Sequence, residues 1–140
     1  MEMPNNIDNK MVAVCGMNCK VCYKHLAVGK YAKSCNGCKF QDETLPNSCR
    51  NCKLVDCANK TKVDYCYECE LFPCKLIKNL DKSYIKRYNV SLAVNSMNIK
   101  EKGIEKFLQE EKRKWTCKKC KGIISLHDKL CSNCFKKNDL

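Results

Sequence analysis

The sequence predicts a small metal-stabilised α+β protein: a cysteine-rich zinc-knuckle domain with short helices, two amphipathic helices and a C-terminal zinc ribbon. Three observations carry this expectation. Fifteen of 140 residues are cysteine, a density that marks either a secreted disulfide scaffold or a metalloprotein. Most of those cysteines stand in C-x2-C pairs, the turn that lets two thiolates reach one ion. Apolar residues are too few for a self-sufficient core: Leu, Ile, Val and Phe number 30 in all, only 13 of them within residues 1–74. Chains below roughly 20% of these residues tend not to fold. Ordering each residue's backbone costs about 1–2 kcal/mol, so ligated metal is expected to supply stability in the first half.

The N-terminus decides between disulfides and metal. "MEMPNNIDNK" is polar, and the apolar run that follows, "MVAV", is far too short for a signal-peptide core or a membrane span. The sequence therefore predicts a cytoplasmic chain with no membrane association, in a compartment where structural disulfides are rare. An odd number of cysteines also cannot all pair within one chain.

Three blocks follow in order: a cysteine-rich multi-metal domain over 11–74, a helical segment packing on it over 75–115, and a zinc ribbon over 116–136. The first opens with "CGMNCKVCY", in which Cys15, Cys19 and Cys22 are spaced C-x3-C-x2-C. A short helix after it would turn Cys22, Leu26 and Val28 to Tyr31 inward. "SCNGCKFQDETLPNSCRNC" reads as loop and turn, with Gly37, Pro46 and several Asn and Asp residues. In the second block "KLIKNLDKSYIKRY" repeats Leu76, Ile77, Leu80, Tyr84, Ile85 and Tyr88 at helical spacing, and "NIKEKGIEKFLQEEKRKW" does the same with Ile104, Phe107, Leu108 and Trp115. Two helices joined through "NVSLAVNSM" are expected, with Gly103 marking a close helix contact or a helix start. In the third block "CKKCKGIISLHDKLCSNC" is C-x2-C-x10-C-x2-C, which places Cys117, Cys120, Cys131 and Cys134 around one ion, with "GIIS" as a small strand between the knuckles.

All fifteen cysteines are candidate metal ligands, but spacing does not pair the first eleven. Cys35, Cys38, Cys49 and Cys52 repeat C-x2-C-x10-C-x2-C. Overlapping it, Cys49, Cys52 and Cys57 share C-x2-C-x4-C with Cys66, Cys69 and Cys74. Sequential and interleaved groupings both satisfy these spacings. His25, three residues after Cys22, would make a twelfth ligand for three four-ligand sites, although a satisfied or solvent-facing histidine is the simpler expectation. His127, inside a ribbon whose four cysteines already close it, is expected at the surface or beside the site.

Soft thiolates select zinc or iron–sulfur clusters. Several Zn2+ ions are expected, with an iron–sulfur cluster as the alternative for the N-terminal cysteines. The opening C-x3-C-x2-C resembles the cluster signature of radical SAM enzymes. Yet Val21 stands where that pattern has an aromatic, no glycine-rich cofactor loop follows, and the chain falls short of the roughly 200 residues a barrel of that class needs. P-loop, G-x-G-x-x-G, H-E-x-x-H, G-x-S-x-G and zinc-deaminase patterns are likewise missing. The sequence leans away from an enzyme without deciding the matter, and it carries no signal of oligomeric state.

Charge suggests the partner. The formal net charge is +12, and residues 75–140 hold 17 basic against 7 acidic side chains. A zinc ion on four thiolates nets −2, which leaves this half at about +8. Lys112, Arg113, Lys114, Lys118, Lys119 and Lys121 surround Trp115, so cations could hold phosphates while an exposed ring stacks on a base. The alternative is a Trp115 packed beneath the ribbon. Nucleic acid and another protein are thus the two candidate partners of a non-catalytic binding or adaptor module, and a redox or metal-handling role goes with the iron–sulfur alternative.

The order "VAVCGMNCKVCYKHL", "CNGC", "CRNCKLVDC", "CYECELFPCKLI" resembles the bacterial and archaeal domain of unknown function 3795 (DUF3795), whose members open with CGxxCxxC and close with CxxCxxxPC entering a helix. The segment from "GIEKFLQ" through "CSNC" is similar to a zinc-ribbon extension found in some members. The resemblance implies a cysteine-rich, zinc-binding protein with no established activity. Members often have an aromatic where this chain has His25.

Overall fold

The computed structural model describes residues 1–27, 34–40 and 42–138. The first residues run antiparallel to the ribbon: Ile123 N–H donates to the Met1 carbonyl and Met3 N–H to that of Lys121. A 3-10 turn at Asn9–Met11 follows, capped by the Asp8 carboxylate on Lys10 N–H at 2.8 Å. The chain then doubles back through Val12–Asn18, where Gly16 adopts φ +92°. A Cβ there would lie 2.7 Å from the Leu92 carbonyl oxygen and would also meet Ser96 Oγ. This glycine thus permits both the turn and the approach of a later helix.

A second 3-10 turn, Cys19–Val21, is capped by Asn18 and leads into α1, Tyr23–Leu26, which ends at Ala27 in the left-handed region. The expected continuation through Val28 to Tyr31 falls outside the described residues. Two short helices follow, α2 at Asn47–Arg50 and α3 at Lys53–Thr61. Sequence reading missed α3, whose buried Leu54 and Ala58 stand at i and i+4 directly after Cys52. A third 3-10 turn, Cys66–Glu68, is closed by the Glu68 carboxylate accepting from Asp64 and Tyr65 N–H.

The helical segment holds α4 at Lys75–Tyr88, α5 at Leu92–Lys102 and α6 at Ile104–Trp115. The first of these matches its expected span, but its inner face is narrower. Ile77 is buried, with Leu80, Tyr84 and Tyr88 half-buried, whereas Leu76 and Ile85 face outward. The second expected helix is two. "NVSLAVNSM" is largely α5, capped by Ser91 Oγ on Val94 N–H, and Gly103 separates it from α6 with φ +88° and ψ 155°. A Cβ at Gly103 would meet nothing within 4 Å, so this residue starts a helix and makes no close contact.

The chain is mostly helical, and the α+β expectation is too generous to strands. Around "GIIS" the backbone forms isolated antiparallel bridges, Thr116 to Ile123 and Ile124 to Cys131, because the short C-x2-C turns bend the chain before a ladder can extend. The ribbon is joined to the rest by a shared core. Trp115, Ile123, Ile124 and Leu126 bury with Met17, Val21, Leu26 and Leu92, and Leu126 N–H donates to the Val21 carbonyl at 3.0 Å. Smaller clusters lie under α6, around Val12, Ile99 and Phe107, and between α3 and α4, around Leu54, Cys66 and Ile77. Among the described residues no helix is long and apolar enough to cross a membrane.

Candidate metal centres

None of the fifteen cysteines is in a disulfide. At the C-terminus, the turns 117–120 and 131–134 bring four of them together. The Sγ atoms of Cys117, Cys120, Cys131 and Cys134 lie within 4.8 Å of one another, with Cys117 to Cys134 at 3.8 Å and Cys120 to Cys131 at 3.4 Å. Four thiolates about 2.3 Å from a tetrahedral ion stand about 3.8 Å apart, so this set fits one ion. The turns also aim backbone N–H groups at sulfur: Lys119 and Cys120 toward Cys117, Asn133 and Cys134 toward Cys131. These donors hold the Cys117 thiol down at about 6, favouring the thiolate a metal needs. Cys131 is pushed up to about 11, because burial outweighs its own N–H donors. Gly122 completes the cradle. A Cβ there would lie 2.6 Å from Cys131 Sγ, 2.7 Å from Asn133 Cβ and 3.3 Å from Cys120 Sγ.

The N-terminal cysteines are arranged differently. Cys15, Cys19, Cys22, Cys35, Cys38, Cys49 and Cys52 line one cavity of about 420 Å³. Among the described residues, the C-terminal set is the one group of three or more ligating side chains whose ligand atoms all lie within 4.8 Å of one another. The cavity thiols nevertheless form a continuous array. Cys38 is the foremost electrostatic neighbour of both Cys15 and Cys19, Cys22 faces Cys35, Cys35 faces Cys49, and Cys38 faces Cys52. Burial raises the thiol values of Cys15, Cys19, Cys22, Cys35 and Cys38, and neighbouring thiolates add to that rise. The remaining four are Cys57, Cys66, Cys69 and Cys74; the Cys66 thiol is pushed up to about 12 by burial first and then by Cys74, Cys57, Cys52 and Cys69, so Cys52 borders both groups.

Aromatic residues wall the cavity on the side of α4. His127 reaches it from the ribbon, stacked on Tyr23 with centroids 3.9 Å apart and edge-on to Tyr88 at 4.5 Å. Its Nδ1 accepts from Tyr23 N–H at 3.4 Å. Burial, then Lys24 and Lys129, bring its value down to about 4, so the ring is neutral with its proton on Nε2. Sequence reading placed His127 at the surface or beside the ribbon's own site. No local signal could have found its role as a cavity wall, because its partner Tyr23 is 104 residues away.

His25 is a satisfied histidine. Nδ1–H donates to the Cys35 carbonyl at 2.6 Å, Nε2 sits 3.4 Å from Lys20 Nζ, and burial keeps the ring neutral. Of the two readings of Trp115, the packed one holds. It is 2% exposed beneath the ribbon, with Nε1–H donating to Glu111, which Asn18 Nδ2 also contacts. The ring belongs to the shared core and cannot stack on a base. The cations around it do face solvent: Arg113, Lys114, Lys118, Lys119 and Lys121 are exposed, and Lys112 donates to the Asn5 carbonyl.

The family described as "Protein of unknown function (DUF3795)" matches residues 11–79. That span contains all eleven N-terminal cysteines and ends inside α4, short of the C-terminal site. No curated protein and no solved structure matches the chain.

Proposed function

The chain belongs, through residues 11–79, to the DUF3795 family, and from that premise we propose that it is a cytoplasmic, zinc-braced, non-catalytic binding module. Its metal-braced cysteine-rich domain and terminal zinc ribbon serve as a rigid support for the basic C-terminal half, which engages nucleic-acid phosphates. One observation carries the reading: the closed four-thiol set at Cys117, Cys120, Cys131 and Cys134. Four sulfurs complete a zinc tetrahedron and leave no position for a reacting water, which is the mark of a structural site. The other eleven cysteines belong to the same proposal as metal ligands.

The exposed cations beside this site supply the binding surface. Among the described residues the ion pair is Lys102 with Glu110, away from Lys118, Lys119 and Lys121. With Trp115 buried, contact is to phosphate alone, so binding should be sequence-independent and strongly salt-sensitive. The test is fluorescence anisotropy with single- and double-stranded oligonucleotides over a salt series, together with zinc analysis. The expected logarithmic salt slope is about 0.7–0.9 per phosphate neutralised, and it should shrink in Lys118→Glu/Lys119→Glu/Lys121→Glu. Absence of salt-sensitive binding at micromolar protein would sink the nucleic-acid assignment, and a nuclease-resistant protein partner would replace it. Cys117→Ser/Cys120→Ser should lose zinc; unchanged zinc content would remove the structural-site reading.

A further inference from the structure

We infer that the cavity walled by Cys15, Cys19, Cys22, Cys35, Cys38, Cys49 and Cys52 seats a polynuclear iron–sulfur cluster. The inference rests on reading the N-terminal cysteines as metal ligands, and it is independent of zinc at the C-terminal site.

The two thiol sets of this one molecule differ in scale. The C-terminal four have closed to the spacing of a single ion, with sulfurs 3.4 and 3.8 Å apart. The seven N-terminal thiols instead border about 420 Å³ of continuous space. One zinc fills the gap between its own four sulfurs and needs no cavity. In a cubane cluster each thiolate would sit on a different iron, so the ligand sulfurs would stand farther apart than around one ion, with an inorganic core between them. Seven cysteines from separate turns lining one cavity suit the second arrangement.

The surroundings fit a cluster as well. Backbone N–H groups aim at the cavity sulfurs: Met17 at Cys15, Lys24 and His25 at Cys22, Val14 at Cys38, and Gly37 at Cys35 at 3.3 Å. Such donors stabilise the excess negative charge of thiolate-bound iron–sulfur cores. Leu45, Leu54, Val55 and Leu80 supply an apolar lining, and Tyr84, Tyr88 and His127 add aromatic walls. The C-N-G-C turn lies directly on the opening knuckle, since a Cβ at Gly37 would stand 3.6 Å from Cys19 Sγ. Cys19 and Cys38 are therefore the central pair, joining the C-x3-C-x2-C turn to the two later knuckles. A cubane takes four of the seven thiols, with Cys19 and Cys38 among them.

The experiment uses the full chain, purified anaerobically and then supplied with ferrous iron, ferric iron and sulfide. Iron, acid-labile sulfide and zinc are measured on the same samples, with visible spectra before and after dithionite. The expected result is about four irons and four sulfides per chain, with visible absorbance that bleaches on reduction. Cys117→Ser/Cys120→Ser should keep that chromophore while losing zinc, and Cys19→Ser/Cys38→Ser should lose the chromophore and keep C-terminal zinc. Zinc filling the N-terminal thiols with no sulfide uptake overturns the inference. So does a chromophore that survives Cys19→Ser/Cys38→Ser or vanishes in Cys117→Ser/Cys120→Ser. If the Cys19/Cys38 variant does not fold, the wild-type stoichiometry and the C-terminal variant still decide. Failure of the zinc reading appears separately, as a wild-type chain without zinc at its C-terminal site.

Discussion

Replacing Gly122 by alanine tests the C-terminal site through a single added methyl group. The new Cβ would lie 2.6 Å from Cys131 Sγ and 2.7 Å from Asn133 Cβ, whereas unstrained non-bonded heavy atoms stay about 3.5–4.0 Å apart. Sulfur or backbone must therefore yield by about 1 Å, against a tolerance of about 0.2 Å in metal–ligand distances. Overpacking of this kind costs about 1–3 kcal/mol. If that cost falls on the metal-bound form, zinc affinity drops by about 5- to 140-fold. Competition against a chromophoric chelator measures the affinity, and thermal denaturation measures the fold. Gly103→Ala is the control. Its added Cβ meets nothing within 4 Å, but its φ of +88° is strained for any other residue, so stability should fall by about 1–3 kcal/mol with zinc affinity unchanged. Unchanged zinc affinity in Gly122→Ala, or an equal loss in Gly103→Ala, would refute the steric argument.

Three further outcomes follow from the packing. Gly16→Ala combines a φ of +92° with a 2.7 Å approach to the Leu92 carbonyl, so it should lose at least about 2 kcal/mol in chemical denaturation; a wild-type midpoint would show that α5 does not rest on this turn. Trp115→Ala should cost about 3–5 kcal/mol, and emission from this sole tryptophan should be blue-shifted and poorly quenched by iodide; ready quenching would contradict its burial. His127 is held neutral, with its value lowered to about 4 from an ordinary 6.5. Between those values the unfolded chain binds the extra proton, so His127 costs nothing above pH 6.5 and destabilises the fold as pH falls toward 4. His127→Phe should keep the stacking and flatten that part of the stability profile, and identical profiles would refute the assignment.

Legibility in the sequence followed the range of each interaction. The C-terminal four-cysteine cluster could be read because C-x2-C-x10-C-x2-C specifies two local turns, and bringing their thiols together needs only a short intervening loop. Helix α4 could be read because its period is local too. Its exposed Leu76 and Ile85 could not, since only the neighbouring elements decide which part of an apolar stripe is covered. The helix start at Gly103, one of the two roles its position offered, reflects a residue that both interrupts a helix and tolerates a conformation closed to other residues. At Trp115 the sequence offered both a stacked and a packed ring, and charge alone could not choose between them. Flanking lysines describe solvent on either side of the ring, whereas its burial is set by Ile123, Ile124 and Leu126 folding back over it.

From the sequence alone came the expectation of metal, because fifteen cysteines, most of them in paired turns, accompany a thin apolar core, together with the family resemblance and the four cysteines that meet at the C-terminus. Tertiary structure alone set seven of the first eleven cysteines along one cavity and put Cys57, Cys69 and Cys74 beside Cys66, with Cys52 bordering both. It alone brought His127 from the ribbon to that cavity and took Trp115 out of reach of any ligand. The physical reason is the same in each case. Ligand chemistry and turn geometry are encoded within a few residues, whereas grouping, burial and cavity shape arise from contacts between segments that spacing along the chain does not specify.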